Sequence, residues 1–72
     1  MNIIQVERRT RYGRPAFLPV NAPARAIVEI ANTTEVRPKD IEAAARLGFR
    51  VVRVERTVGG AIVEVETLAL PA

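Results

Sequence analysis

The clearest periodicity lies in the last third of the chain. Phe49 to Val58 and Ala61 to Leu70 are two β-branched, alternating runs on either side of Gly59-Gly60. Such an arrangement is a strong local signal for a β-hairpin. A two-residue loop pairs Val58 with Ala61 and sets the expected register. Val54 then faces Val65, Val52 faces Thr67 and Arg56 faces Val63 on one side. Arg53 faces Glu66, Glu55 faces Glu64 and Thr57 faces Ile62 on the other, because strand side chains alternate with period two. One face is mostly valine and the other is charged, as in an antiparallel sheet with one wetted side.

Upstream, Ile3 to Arg9 reads as a strand, and Thr10 to Arg14 as a turn with Gly13 as its positive-φ residue. Arg14 to Val20 is apolar enough for a strand. Pro15 and Pro19 remove ladder donors and confine it to an edge, where Phe17 and Leu18 anchor it to the core or to a partner. Asn21-Ala22-Pro23 reads as a loop. Ala24 to Ala31 reads as a strand, with Ala26, Val28 and Ile30 on one face and Arg25, Ile27 and Glu29 on the other.

Pro38 to Leu47 is the one segment with a helical signature. Proline suits a first helical turn, Asp40 and Glu42 lie near the positive end of the dipole, and Arg46 near the negative end. Ile41, Ala44 and Ala45 form a narrow apolar stripe, and Gly48 follows as the left-handed terminator. The order strand, edge strand, strand, helix, strand, strand predicts a single two-layer α+β domain. Its expected core is an antiparallel sheet of four or five strands with one helix across the Val/Ile/Ala face.

Composition changes this picture mainly by exclusion. Seventy-two residues make one small domain with a thin margin of stability. The chain has no cysteine and no histidine, so neither a disulfide nor a Cys/His zinc site supplements the core. It also contains no serine, so the usual nucleophiles and the usual general base are all missing. Asp40 and Glu42 point in different directions on a helix, and Glu64 and Glu66 read as members of a solvated face. No glycine-rich phosphate loop is present, since Gly59-Gly60 joins two strands. The expectation is a non-enzyme with no cofactor, no metal and no small-molecule substrate. No stretch has the length of a membrane span and the first residues lack a secretion-signal pattern, so the expected location is the cytoplasm, or the host cytoplasm for a viral protein.

The net charge of +3 is uneven. Residues 1–25 hold five arginines against Glu7, for +4, and residues 26–72 hold six cations against seven anions, for −1. This nominates two surfaces. The first is an apolar one of Phe17, Leu18, Ile27 and Ile62, the two isoleucines being expected on the outer side of the sheet, where a partner would cover them. The second is the basic turn of Arg8, Arg9, Arg11, Tyr12 and Arg14, whose guanidiniums and ring suit phosphates and unpaired bases. Arginine usage is equally compatible with GC-rich coding. The sequence therefore favours a non-catalytic protein-binding or homo-oligomeric module, such as a small viral or phage accessory subunit or an inhibitor of a partner. The alternative is a nucleic-acid-binding protein using the basic turn.

Overall fold

The computed structural model describes residues 2–71. Along the chain come β1 (Ile3–Arg11), β2 (Arg14–Pro19), α1 (Ala22–Ala31), α2 (Pro38–Arg46), β3 (Arg50–Arg56) and β4 (Ile62–Ala69). The four strands form one sheet in the order β2-β1-β3-β4. β1–β2 and β3–β4 are antiparallel hairpins, and β1 and β3 run parallel at the centre. The class is α+β as expected. The sheet is mixed rather than purely antiparallel, and two helices replace the single one expected.

The additional helix is α1, in place of the strand expected over Ala24 to Ala31. Ile27, Val28 and Ile30 are β-branched, and Val28 and Ile30 flank Glu29, which favours a strand locally. The end signals override that preference. Asn21 caps the first turn, its Oδ1 accepting from Ala24 N at 3.2 Å, and proline occupies the first turn. At the other end Asn32 takes a left-handed conformation (φ 56°). Asn32 N donates to Glu29 O at 3.1 Å and Thr33 N to Val28 O at 2.9 Å, closing the last turn in a Schellman motif. Ala24, Ile27, Val28 and Ala31 then fall on one helical stripe, of which Ala24 and Val28 are buried.

Asn21 also fixes where this helix sits. Its Oδ1 accepts from Gln5 N at 3.1 Å and its Nδ2 donates to Ile3 O at 2.8 Å. The side-chain amide thus continues the β1 ladder beyond the last backbone bond, Val20 N to Gln5 O at 2.9 Å. One residue ends β2, starts α1 and ties both to β1.

α2 follows the sequence reading closely. Asp40 Oδ2 accepts from Arg37 N at 2.9 Å, and Gly48 (φ 96°) follows the helix. Gly48 N to Ala45 O at 3.1 Å and Phe49 N to Ala44 O at 3.0 Å complete a second Schellman motif. α1 lies over β1 and β2, and α2 over β3 and β4. Between helices and sheet lie Ile4, Val6, Ala24, Val28, Val36, Ala44 and Val51, with Phe17, Ile41, Phe49 and Leu68 packed around them.

The register places a different valine under the helices from the one expected. Ile4 pairs with Val51 and Gln5 with Val52, so Val51 shares the helix-covered side with Ile4 and Val6. Val52 and Val54 point to the side without helices. The β3–β4 loop has three residues rather than two. Gly60 N donates to Thr57 O at 2.9 Å, Gly60 adopts φ 86°, and Thr57 N donates to Ala61 O at 2.8 Å. This is the turn-plus-glycine-bulge hairpin, and it shifts the expected pairing by one, so Arg56 faces Ile62 and Val54 faces Glu64. An irregularity between Arg53 and Val54 leaves Val65 as an extra residue and restores the expected Arg53–Glu66 and Val52–Thr67 pairs. The expected Glu55–Glu64 juxtaposition is thereby avoided. Glu55 faces Val63 and ion-pairs with Arg53 at 2.7 Å.

Val52 and Val54 are 0% and 2% exposed although no helix covers them. Gln5 and Thr67 flank Val52, and Glu7 and Glu64 flank Val54. Arg50 precedes Val52 on the same side, and Glu64 lies opposite Val54. Their paired contacts at 2.6 and 3.2 Å therefore cross diagonally over Val52. Glu7 bridges Arg9 at 3.3 Å and Arg56 at 3.7 Å beside Val54. The methylene stems of paired side chains form the roof that a second layer would otherwise supply.

Two outcomes follow. Asn21→Ala should cost about 2–3 kcal/mol in urea unfolding, since it loses a cap and strands two β1 backbone groups, and Asn21→Asp should recover little of that, because it keeps the acceptor but turns a carboxylate oxygen toward Ile3 O. Arg50→Ala should cost about 1 kcal/mol, and Arg50→Met should recover at least half of that. If Arg50→Met proves as unstable as Arg50→Ala, the ion pair rather than the stem holds the roof.

Candidate interaction surfaces

Among the described residues no polar or charged side chain is buried, and no group of three potential metal ligands converges. No helix is long and apolar enough to cross a membrane. The most tightly held carboxylate is Asp40. The Arg37 guanidinium donates to it at 3.0 and 3.3 Å and holds its pKa below the ordinary aspartate value, aided by the Arg37 backbone N–H. This contact serves the start of α2.

The four apolar side chains nominated from the sequence do not form one surface. Phe17 faces the helices and is half-buried against the core. Its carbonyl accepts from Val36 N at 2.8 Å, forming an isolated antiparallel bridge that covers the β2 edge there. Leu18, one residue on, points to the opposite side and is half-buried. Ile27 lies on α1 and not on the outer side of the sheet. It lines an apolar groove of about 200 Å³ between the helices, with Ile30, Ala31, Ala43 and Leu47. Ile62 sits on β4 and is exposed, as expected of it.

β4 brings a larger apolar set to the surface. It is an outer strand of the sheet, and Ile62, Val63 and Val65 are 41%, 42% and 44% exposed. Leu70 just beyond it is also exposed. Its two acids are engaged from β3, Glu64 by Arg50 and Glu66 by Arg53 at 2.9 Å. Sequence reasoning missed Val63 and Val65 because the assumed loop length turned both toward the expected core. It missed Ile30 and Leu47 because the β-branched residues of Ala24 to Ala31 favour a strand, which places neither side chain in a groove between helices. The asparagines flanking that segment, Asn21 and Asn32, were the available signal.

The basic segment divides between the two sides of the sheet. Arg9 points to the open side and pairs with Glu7. Arg8 points to the helix side, where it lines a groove of about 490 Å³ with Phe17, Val36, Arg37, Arg53 and Glu66. Arg37 and Arg53 are ion-paired within or beside this groove, to Asp40 and to Glu55 and Glu66. Arg11, Tyr12 and Arg14 stay together at the tip. Arg11 faces Arg14 across the ladder, and the two-residue loop between them has positive φ at both Tyr12 (53°) and Gly13 (76°). Tyr12 is 97% exposed.

Comparison with protein-family models, with curated proteins and with solved structures finds no match.

The Asp40 contact makes a pH-dependent contribution of known sign. A carboxylate whose folded pKa lies below its unfolded value stabilises fully above the unfolded pKa, about 4, and loses that contribution as pH falls through the folded value. Asp40→Asn should therefore flatten the acid limb of the stability curve below about pH 4 and leave the shape near neutrality unchanged. Thermal melts of both proteins between about pH 2 and 7 check this.

Proposed function

We propose that this chain is a non-catalytic interaction module that works by protein–protein contact, its principal docking element being the free edge of β4. One observation carries the reading: an eight-residue outer strand with three half-exposed aliphatic side chains and both of its acids neutralised from within the sheet. Sheet edges are ordinarily guarded by proline, unpaired charge, β-bulges or a covering segment. β2 has such guards, with Pro15, Pro19 and the Val36 bridge. β4 contains no proline, its glutamates are occupied by Arg50 and Arg53, and its only guards among the described residues are the irregularities at Val65 and Leu68, which leave Ile62 to Glu64 as a regular, unprotected run.

An extended segment of a partner can add to β4 as a further strand. Its backbone then supplies the hydrogen bonds and the exposed aliphatic side chains supply the contact area. Ile62 belongs to this surface, and Ile27 with Ile30 and Leu47 forms a separate apolar patch on the helix layer. The arginine excess orients the encounter with an acidic partner.

Amide hydrogen exchange on the complex, with the Val63→Lys/Val65→Lys double variant beside the wild type, tests the reading. Residues 62–69 should gain protection when the partner or a second copy binds, and the double variant, still folded by circular dichroism, should lose the association. A wild-type chain that remains a monomer at every concentration and retains no protein that the variant fails to retain would overturn it.

A further inference from the structure

Two local rules of chain design are broken within the same four residues, at the tip of the β1–β2 hairpin. Arg11 and Arg14 are direct cross-strand partners, an arrangement that places like charges about 5 Å apart at their β-carbons and disfavours the hairpin. Tyr12 occupies a left-handed position where asparagine or glycine is the low-strain choice, and its ring is almost wholly exposed. Coincident local violations of this kind are expected where a site, rather than stability, dictates the residue.

The surrounding charges sharpen the point. Arg9, Arg37, Arg50, Arg53 and Arg56 all lie within ion-pair distance of a carboxylate. Among the described residues Arg8, Arg11 and Arg14 have no such partner; Arg25, Lys39 and Arg46 also lack one, but they are dispersed over the two helices rather than gathered at one turn. Arg11 donates only to the Thr34 hydroxyl, at 3.5 Å. A shallow cleft of about 140 Å³ joins Arg11, Tyr12 and Arg14 to Pro15, Ala16 and Glu35. Glu35 is the one carboxylate there, against two guanidiniums, so the cleft keeps a net positive charge.

We infer that this tip is a contact site for single-stranded nucleic acid, in which Arg11 and Arg14 share one phosphate and Tyr12 stacks on an unpaired base. A bound phosphate turns the Arg11–Arg14 repulsion into two charge-assisted attractions, and guanidinium forks match its oxygens. An exposed ring held out on a rigid two-residue turn offers its face to a base only where that base is unpaired, which selects single strands over duplex. The parallel pairing of β1 and β3 brings the Val58–Gly60 loop to the same end of the sheet, and the α1–α2 connection reaches this end through Thr34 and Glu35 without covering Tyr12.

The site is independent of the β4 edge, and the two readings fail separately. Fluorescence polarisation with a labelled oligothymidylate of about 12 nucleotides, and with the matching oligouridylate, at about 20 mM salt tests it. Wild-type chain should bind. Tyr12→Asn should bind about ten-fold more weakly or worse while melting about 3–6 °C higher, because the same substitution removes the stacking ring and relieves the left-handed strain. Arg11→Ala/Arg14→Ala should also weaken binding and make the logarithmic salt dependence shallower by about 0.7 for the phosphate lost. Arg25→Ala/Arg46→Ala, which removes equal charge elsewhere, should stay within about two-fold of wild type. The inference is overturned by no binding at low salt, by Tyr12→Asn binding as well as wild type, or by the control pair weakening binding as much as the tip pair. It is equally overturned if a polyglutamate peptide binds the tip while both oligonucleotides do not, which would assign it to an acidic protein.

Discussion

The architecture depends on what a single amide can do at the end of β2. Backbone pairing between β2 and β1 stops at Val20, and a chain leaving a sheet edge has to satisfy its own polar groups before it can turn. Asn21 does this with both ends of its side chain: Oδ1 accepts from Gln5 N and Ala24 N, and Nδ2 donates to Ile3 O. The three bonds fix the departure angle of α1, which sets the stripe of Ala24, Ile27 and Val28 over Ile4 and Val6. From there the chain reaches Val36, whose bridge to Phe17 seals the β2 edge and positions the start of α2.

The sheet stabilises its two sides by different means. One side is closed by small helix residues, Ala24 and Ala44, which let the helices approach closely. The other has no second layer and uses the stems of Arg50, Glu7 and Glu64 over Val52 and Val54. Exposed ion pairs contribute little as electrostatics. Here their geometry also withholds two valines from water, so the charged residues of the open side act partly as apolar cover. The same economy accounts for β4: its acids are drawn inward to β3 arginines, and its aliphatic side chains are left outside.

Much of the fold was legible in the sequence, and the failures have identifiable physical causes. The Gly59-Gly60 hairpin, the Pro15/Pro19 edge strand, the helix after Pro38 and its Gly48 terminator were all readable from local rules. Ala24 to Ala31 was not, because β-branched residues at 27, 28 and 30 argue for a strand while the helix is decided by caps at both ends. Register was misread because two glycines serve a two-residue or a three-residue loop equally well, and Val65 then absorbs the difference as an extra residue. Parallel pairing of β1 with β3 left no local trace at all. The candidate site followed the same division. The compact Arg11–Tyr12–Arg14 cluster could be seen in the sequence, whereas the apolar surfaces depend on register and helix placement and could not.

That central parallel pair has a consequence for how the domain assembles. Each hairpin closes a short loop and can form early, with little entropy lost in bringing its strands together. Joining Ile3–Glu7 to Arg50–Val54 instead closes a loop that contains β2 and both helices, at a larger entropic cost. The distant pairing therefore comes late and sets the pace, so this chain should acquire its native centre more slowly than its small size and abundant local structure would imply.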